Sequence, residues 1–372
     1  MKENQDKSLH IVTFAVPYPA NYGGAIDAWN RIVALSRLGV QIKLHCFLYR
    51  NFRSQPVIRE YVREVHYYPR VVWPALFAKG QPYVVTSRKS KLLLKRLQAD
   101  NDPILFDGIQ ATGYHADLSG RVKMLRAHNI EHEYYGQLAQ EGSGVKSLVF
   151  KREALCLQAY ETNIAQSFDA VFAISPHDHQ WYQEQGATAI LMPPFHGHHH
   201  IDIQPGLGDY ILYQGDLSIE INQVALLDLL KQLPEDNPLP IVVAGRSGSK
   251  AFESILAEKD NIQRKADVSD SEMIEWVRNA QMTIIHSLHL AGMKLKLFTA
   301  LYHGRHILAS DNCKTHTPLD RSIHYYAPGQ LSAFVRQYTH RGFTADDIQE
   351  RTQVLQAHPG DIDMAKEIVR YL

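Results

Sequence analysis

The chain has 372 residues, which exceeds what one hydrophobic core usually covers, so we expect two domains. Its 45% hydrophobic and 21% charged residues are ordinary for a globular protein, and 39 basic residues balance 39 acidic ones. This balance excludes the strong positive field of a nucleic-acid-binding protein. Three widely spaced cysteines exclude a disulfide framework and a zinc motif. With a polar N-terminal segment and no apolar run of membrane-spanning length, the sequence predicts a cytoplasmic protein.

The beginning of the chain predicts a βαβ unit. A buried strand is expected over 10–16, a helix over 25–38 and a second strand over 41–49, with Gly23 and Gly24 in the loop after the first strand. A strand, a helix and a strand so close together imply a parallel sheet. The two glycines let the backbone approach a ligand closely, although such a pair also occurs in a simple tight turn.

The same alternation continues to the middle of the chain. It predicts a doubly wound domain over residues 1–195. Strands are expected at 66–70, 103–108, 121–127, 169–175 and 188–193, and helices at 145–166 and 177–186.

One predicted helix of this domain, over 86–97, is basic. Arg88, Lys89, Lys91, Lys95 and Arg96 surround three leucines. A basic amphipathic helix can lie on an anionic membrane surface, which would place the protein peripherally on the inner face of the membrane. The pattern fits equally a solvated face over a core stripe, and this second interpretation is the more common one.

A linker is predicted where Pro193, Pro194 and Phe195 precede a histidine-rich segment. We interpret its four histidines as solvated linker side chains, because nothing near them supplies a fixed metal geometry. They are His196, His198, His199 and His200. A second α/β domain follows over 205–358, and ligands of two-domain proteins commonly bind in the cleft between the domains.

The stretch 286–310 is the most informative part of this second domain. A short loop with Gly292, a helix over 293–304 and a buried strand over 305–309 are expected. The first amides of a helix lack partners and favour an anion. Lys294 and Lys296 lie in that first turn, where a helix start does not favour cations. The pattern therefore predicts a phosphate site, the alternative being two simply solvated lysines.

Several stretches together resemble one family of enzymes. In chain order they are Pro17-Tyr18-Pro19 with Tyr22-Gly23-Gly24, Arg126-Ala127-His128-Asn129-Ile130-Glu131, Phe168-Asp169-Ala170-Val171 with Ile174-Ser175, Gly215-Asp216-Leu217-Ser218 with Asn222, Val243-Ala244-Gly245, and 292–310. The chain resembles a GT-B glycosyltransferase, most closely the retaining, nucleotide-sugar-dependent enzymes of glycosyltransferase family 4. The resemblance implies an α/β fold of two doubly wound Rossmann-like domains facing across a cleft. It also implies that a C-terminal helix within 359–372 packs back on the first domain.

The resemblance also implies roles for individual residues. The Gly23-Gly24 loop would lie beside the donor phosphates and the acceptor, and His128 near the transferred sugar. For His128 a structural role, tying the strand end to the next helix, stays open. The second domain would hold the nucleotide. Positive groups replace a metal in this fold, so neither a metal nor a cofactor is expected, and Asp100-Asn101-Asp102 and Asp361-Ile362-Asp363 are interpreted as turn or cap carboxylates.

The donor site departs from the family pattern at four positions. Two glutamates eight positions apart are replaced by Ala291 and Thr299, and an arginine and a lysine by Asp216 and Ile221. A diphosphate needs compensating charge. The cations best placed to supply it are Arg246, Lys294, Lys296 and Arg305. Thr299 would hold the ribose through its hydroxyl, and Asp216 would repel the phosphates unless it points away.

The sequence thus predicts a transferase that moves a sugar from a nucleotide-sugar donor to a glycan, lipid-linked or other acceptor in surface polysaccharide or glycoconjugate biosynthesis. Two alternatives stay open. One is a catalytically degenerate GT-B protein that acts as a binding or scaffold subunit. The other is a GT-B nucleotide-sugar epimerase, which would need acidic groups around the sugar.

Overall fold

The structure is a computed structural model that describes residues 7–48, 54–72, 80–234, 236–259, 261–288 and 294–372. The chain divides into two compact units. Unit 1 comprises residues 1–197 together with 360–372, and unit 2 comprises residues 198–359. In the described ranges, every helix is too short or too polar to cross a membrane.

Unit 1 is built on a parallel sheet whose described strands lie in the order β3-β2-β1-β4-β5-β6-β7. Short apolar runs form these strands because both faces of the sheet are covered. Their bounds are β1 Ser8–Thr13, β2 Gln41–Leu48, β3 Glu64–Pro69, β4 Ile104–Asp107, β5 Lys123–Ala127, β6 Ala170–Ala173 and β7 Ala189–Leu191.

Helices cover both faces of this sheet. On one face Ile32 and Leu35 pack with Met364 and Ile368 of the C-terminal helix, and the other face buries a separate cluster that includes Leu157. The helices are α1 Gly23–Arg37, α2 Tyr83–Thr86, α3 Lys91–Leu97, α4 Glu131–Glu141, α5 Gly144–Ile164, α6 Pro176–Glu184 and, at the end of the chain, α13 Asp361–Val369. Unit 1 is therefore doubly wound, and its last helix belongs to the core.

Unit 2 has a second parallel sheet, whose described strands lie in the order β10-β9-β8-β11-β12-β13. The strands are β8 Ile211–Gln214, β9 Ile241–Gly245, β10 Ile262–Ala266, β11 Met282–Ile285, β12 His306–Ser310 and β13 His324–Tyr326. The helices are α7 Glu220–Gln232, α8 Lys250–Ala257, α9 Asp270–Asn279, α10 Lys296–His303, α11 Leu331–Thr339 and α12 Ala345–Ala357.

The prediction of one continuous basic helix over 86–97 is wrong, because this part of the chain forms two short helices. The chain forms the short helix α2, and α3 starts again at Lys91 behind the N-cap Ser90, whose hydroxyl accepts from the Leu93 amide. Arg88 lies between the two helices, where it is buried and donates to the carbonyls of Phe14 and Val84. Hydrogen bonding to these carbonyls turns Arg88 away from the basic face that the sequence pattern predicted.

The predicted linker at 193–195 is packed rather than solvated. Phe195 is fully buried, its amide donates to Asp27 Oδ1 at 2.9 Å, and the next residue, His196, is buried as well. Asp361 at the start of α13 accepts from the amides of His196 and Gly197. The prediction of a solvated histidine run is therefore wrong for His196, and it is also wrong for the half-buried His198.

Candidate functional site

Each sheet has one point where the order of the strands reverses. In unit 1 it lies between β1 and β4, and in unit 2 between β8 and β11. Ligands of open α/β sheets bind at the carboxyl ends of the strands at such points. We call these two places the unit 1 edge and the unit 2 edge.

At the unit 1 edge, Gly23 and Gly24 are the first residues of α1 rather than a separate loop. The N-cap Tyr22 provides no side-chain hydrogen bond to this helix start. A Cβ on Gly24 would lie 3.2 Å from the ring of Phe14, which is closer than side chains usually pack. The glycine therefore permits close contact between the helix start and the end of β1.

His128 follows β5 at the same edge. Its Nε2 lies 2.8 Å from Oδ1 of Asp107, the last residue of β4, and its Nδ1 lies 3.9 Å from Asp27 Oδ2. The ring of Phe14 contacts it edge-on, with 5.7 Å between the centroids. The imidazole is thus oriented from the neighbouring strand. The histidine in the helix after β5 is His132, in α4, and its ring is held by Glu161 of α5.

A buried charge network fixes this arrangement. Asp27 accepts from Arg126 Nη2 at 2.6 Å, from Arg126 Nε at 3.1 Å and from Arg31 Nη1 at 2.5 Å, and Arg31 also pairs with Asp107. Burial alone would raise the pKa of the Asp27 carboxyl, but Arg126 and Arg31 outweigh it and hold that pKa well below its usual range. Arg126 further donates to the carbonyls of Met192 and Pro193.

Asp27, Asp107 and His128 bring their ligand atoms within 4.8 Å of one another, a spacing that could suit a metal ion. The two guanidinium groups, however, already supply positive charge to both carboxylates. This network was not predicted from the sequence. The available signal was the pair Asp27 and Arg31, spaced i and i+4 on the buried side of an apolar helix.

A second buried acid stands beside His128. Burial and the neighbouring carboxylate of Glu161 raise the pKa of Glu131 to about 7. Glu161 itself accepts from the amides of Glu131 and His132 at 2.9 and 3.0 Å, and so satisfies the start of α4. Sequence analysis did not identify Glu131 as buried, because it assigned no helix to this segment.

At the unit 2 edge the central group is the amine of Lys296. Its Nζ lies 3.5 Å from the carbonyl oxygen of Gln214, at the end of β8, and 5.3 Å from the centroid of the Tyr213 ring. Burial lowers the pKa of this amine to about 8. Among the described residues, no carboxylate forms an ion pair with it. The amine is a partly buried cation without an anionic partner in the described part of the chain.

The helix start beside this amine differs from the prediction. α10 begins at Lys296, and Lys294 precedes its N-cap, Leu295. The amides of Leu297 and Phe298 already donate to the carbonyls of Lys294 and Leu295, at 2.8 and 3.0 Å. The predicted phosphate site thus has fewer open amides than expected, and its positive charge comes mainly from side chains. Burial lowers the pKa of Lys294 as well.

Backbone contact shapes the floor of the unit 2 edge. Gly245, the last residue of β9, has φ +130°, and a Cβ there would lie 2.1 Å from the carbonyl oxygen of Gly215. Only glycine fits this position. Gly292 and Ala291, which the sequence placed in the loop before α10, lie outside the described residues.

Asp216 and Arg246 form an ion pair at this edge. Arg246 Nη1 lies 3.6 Å from Asp216 Oδ2, and Asp216 Oδ1 accepts from the amide and the hydroxyl of Ser218. Arg246, nearly half exposed, therefore lies where a ligand can reach it, with the charge of Asp216 close by.

Two further candidates, Arg305 and Thr299, have other hydrogen-bond partners. Arg305 is a wrong candidate, because it precedes β12 at the opposite edge of the sheet and donates to the carbonyls of Arg278 and Ala280. Thr299 places its hydroxyl 3.2 Å from His198 Nε2, and His198 Nδ1 lies 3.1 Å from His303. Burial lowers the pKa of His198 to about 4, so the imidazole that faces Thr299 is neutral at physiological pH.

One histidine of the unit 2 edge was not predicted. His286 follows β11, and its two ring nitrogens lie 2.8 Å from the Tyr326 hydroxyl and 2.9 Å from Asp228 Oδ2. The two rings are parallel, with 6.0 Å between centroids. A histidine that directly follows a buried strand was the available signal.

Comparison with known proteins gives the following picture. No protein-family model matches the chain. The chain is 24% identical over 327 residues to a Klebsiella pneumoniae protein described as an uncharacterized 44.6 kDa protein in the cps region. The aligned residues are 81% of this chain and 82% of that protein.

Solved structures match over nearly the whole chain. A mutant of Staphylococcus aureus TarM, in complex with fondaparinux, alpha-GlcNAc-glycerol and UDP, has a TM-score of 0.66 at 9% identity, over 98% of this chain and 99% of that one. Anabaena Alr3699/HepE, in complex with UDP and glucose, has a TM-score of 0.62 at 13% identity, over 97% and 98%. The lipopolysaccharide outer core galactosyltransferase WaaB has a TM-score of 0.62 at 13% identity, over 98% of each chain.

These matches define the class of fold. The chain has the GT-B fold of these glycosyltransferases, with two α/β units on parallel sheets, and the predicted fold class is confirmed. Membership of family 4 within this fold stays a prediction.

Proposed function

We propose that the protein is a glycosyltransferase that moves a sugar from a nucleotide-sugar donor to a glycan or lipid-linked acceptor. The observation that carries this proposal is the amine of Lys296. It lies at the strand-order reversal of a GT-B unit, has a pKa lowered to about 8, and has no carboxylate partner among the described residues. A buried cation is costly without a counter-charge, and a diphosphate would supply one.

The chemistry follows from this placement. The bond between the anomeric carbon and the diphosphate breaks, and negative charge grows on the departing phosphate while the sugar becomes oxocarbenium-like. The partly buried amines of Lys294 and Lys296 and the more exposed guanidinium of Arg246 would stabilise that charge. Thr299, whose hydroxyl is already engaged by His198, would contribute little to the ribose.

The unit 1 edge supplies the remaining parts of the proposal. His128, held by Asp107, would orient the transferred sugar, and Gly23 and Gly24 would allow donor phosphates or acceptor to approach the start of α1. No cofactor or metal takes part in this scheme. We further propose that transfer proceeds with retention of the anomeric configuration, as the resemblance to family 4 implies.

The acceptor belongs to surface polysaccharide or glycoconjugate biosynthesis in this proposal. Support comes from the Klebsiella relative, which is described by its cps region. The solved neighbours, including one that is named for lipopolysaccharide, agree with an acceptor of this class. Such acceptors are assembled in the cytoplasm or on the inner face of the membrane, so we propose that location for this protein.

One observation favours a second candidate, a degenerate GT-B protein that binds a ligand or partner without turnover. The charge of Arg246 is partly neutralised by Asp216, and an exposed Ile221 stands at a position where the family has a cation. In this case the unit 2 edge binds a nucleotide weakly or not at all.

Two measurements separate the candidates. Thermal shift against a panel of nucleoside diphosphates detects binding, because a ligand of the folded state raises the melting midpoint. Release of nucleoside diphosphate from a panel of nucleotide sugars, with and without polysaccharide acceptors, detects transfer, and NMR of the product gives its anomeric configuration. Binding with acceptor-dependent release is the expected result. Nucleotide binding without release from any donor supports the degenerate candidate. Absence of nucleotide binding contradicts the transferase and supports a scaffold form of the degenerate candidate.

A further inference from the structure

Helix α5 carries an unusual outward face. Four of its aliphatic side chains are strongly exposed: Val145 by 77%, Leu148 by 68%, Val149 by 54% and Leu155 by 62%. Their spacing of i, i+3, i+4 and i+10 puts them on one side of the helix. We call these four residues the α5 stripe. Single exposed aliphatic residues are ordinary, but Val145, Leu148 and Val149 form one apolar surface, and Leu155 continues it on the far side of Arg152.

The opposite face of α5 is firmly held in unit 1. Leu157 and Ile164 pack in its core. The two carboxylates of the helix also point inward: Glu153 accepts from the amides of Tyr83 and Val84, and Glu161 accepts from the start of α4. These hydrogen bonds and core contacts fix the rotation of α5 about its axis. The α5 stripe therefore faces outward, and a different face of the helix packs in the core of unit 1.

The segment of α5 that carries the stripe has charge of one sign. Lys146 and Lys151 are exposed next to the stripe and Arg152 lies between Val149 and Leu155. Residues 142–152 contain no acidic side chain, and the acid that precedes them in sequence is the exposed Glu141 at the end of α4. Since Glu153 and Glu161 are buried, the described outer face of α5 presents cations and aliphatic groups together. A helix of this composition matches the boundary between lipid headgroups and acyl chains.

We propose that α5 docks the protein on an anionic lipid surface, with the α5 stripe inserted among the acyl chains and the two lysines at the phosphate level. A second copy of this chain is the less suitable occupant, because a two-fold contact would oppose identical lysines. The helix over 86–97 is also less suitable, since Arg88 is buried and Leu92 is the one strongly exposed leucine of α3. This proposal stands independently of the transferase activity.

Co-sedimentation of the full chain with vesicles tests the proposal. One vesicle type is phosphatidylcholine with about 30% phosphatidylglycerol, which gives a negative surface potential, and the other is phosphatidylcholine alone. The stripe variant is Leu148→Asp/Val149→Asp and the charge variant is Lys146→Glu/Lys151→Glu. Matched controls are Ile255→Asp, an exposed apolar residue of α8, and Lys91→Glu/Lys95→Glu on α3.

Wild-type protein should sediment with the anionic vesicles and much less with the neutral ones. Each α5 variant should lower the partition coefficient at least tenfold, and each control should change it less than about twofold. All these positions are exposed, and unchanged melting midpoints verify that the variants fold. The proposal is overturned if wild-type protein does not bind anionic vesicles, or if the α3 control loses binding while the α5 variants keep it. It is also overturned if the stripe variant only converts a dimer to a monomer in sedimentation velocity.

Discussion

The two edges handle charge in opposite ways. At the unit 1 edge, the carboxylates of Asp27 and Asp107 form ion pairs with Arg31 and Arg126. Asp107 in turn orients the imidazole of His128. At the unit 2 edge, the Lys296 amine contacts a carbonyl oxygen and an aromatic ring, and no carboxylate of the described residues pairs with it. A closed network gives rigidity and holds a side chain in place, whereas an uncompensated cation favours an anionic ligand. We therefore propose a positioning role for the unit 1 edge and a binding role for the unit 2 edge.

The largest effect should come from opening the closed network. Asp27→Asn leaves two buried guanidinium groups without their shared carboxylate, which typically costs about 3–5 kcal/mol of unfolding free energy. Urea denaturation followed by tryptophan fluorescence measures it. Trp276 is the single tryptophan of the unit 2 sequence, so a Trp276→Phe background makes the signal report on unit 1.

Two controls accompany this variant. Asp216→Asn, in the half-exposed pair with Arg246, should cost less than about 1 kcal/mol. The pH dependence has a defined sign: the pKa of Asp27 is lowered on folding, so its contribution is present above the unfolded value of about 4 and is lost as pH falls further. A change below about 1 kcal/mol for Asp27→Asn would show that the network is not rigidifying.

His128 should affect turnover and leave binding intact. If its role is to orient the sugar, His128→Ala should lower kcat about 100-fold, on the order of losing one aligned polar group in an active site. Affinity for nucleoside diphosphate, measured by calorimetry, should change less than about twofold. The matched control is His177→Ala, a strongly exposed histidine, which should change neither quantity. A loss of binding equal to the loss of turnover would remove the division between the two edges.

The sequence predicted the fold better than the site. Buried parallel strands are short apolar runs between turns, so most strands were predicted within two or three residues. Several elements were not predicted, among them β10, β13 and α4. β10 and β13 are the edge strands of unit 2, β10 with exposed polar side chains, and α4 starts with three charged or polar residues and has no apolar stripe. These three lack the clear apolar periodicity on which the prediction depends.

Candidate residues were proposed where a local motif exists, and the buried network that packing creates was missed. Lys296 and His128 follow from their places in recognisable stretches. Arg126 lies inside a buried strand and Asp27 inside a helix, and their partnership spans 99 residues of sequence. A charged residue in an otherwise apolar run signals a buried partner, but which partner depends on tertiary structure. The open amides expected at the start of α10 were overestimated for a local reason, because the carbonyls of Lys294 and Leu295 in the preceding turn accept from two of them.

Affinity for nucleoside diphosphate should fall as pH rises above 8. The amine of Lys296 loses its proton near that pH in the free protein, while the fully ionised diphosphate does not change, so affinity should drop by up to tenfold per pH unit. Unfolded protein keeps this proton to higher pH, so the same group should raise the unfolding free energy between about pH 8 and 10.4. Calorimetry from pH 7.5 to about 9.5 measures the affinity. A Lys296→Arg variant should give a flatter dependence of affinity on pH. A wild-type affinity that does not change with pH would show that binding does not depend on the protonated Lys296 amine.

The smallest effect should come from Asp216. Replacing it with asparagine removes a negative charge near Arg246 and keeps an acceptor for Ser218. Because this pair is half exposed and screened, affinity for nucleoside diphosphate should rise by less than about threefold, and the gain should shrink in high salt. A loss of affinity would mean that Asp216 organises the unit 2 edge and does not oppose the ligand.

Calorimetric titration of nucleoside diphosphate into wild-type, Lys296→Ala and Lys231→Ala protein tests the central claim most directly. A charge-assisted bond contributes about 1.5–3 kcal/mol, so Lys296→Ala should weaken binding about tenfold or more. Lys231 is an exposed residue of α7, and its replacement should leave the affinity unchanged. Undiminished affinity in the Lys294→Ala/Lys296→Ala double variant would contradict the assignment of the diphosphate to the unit 2 edge.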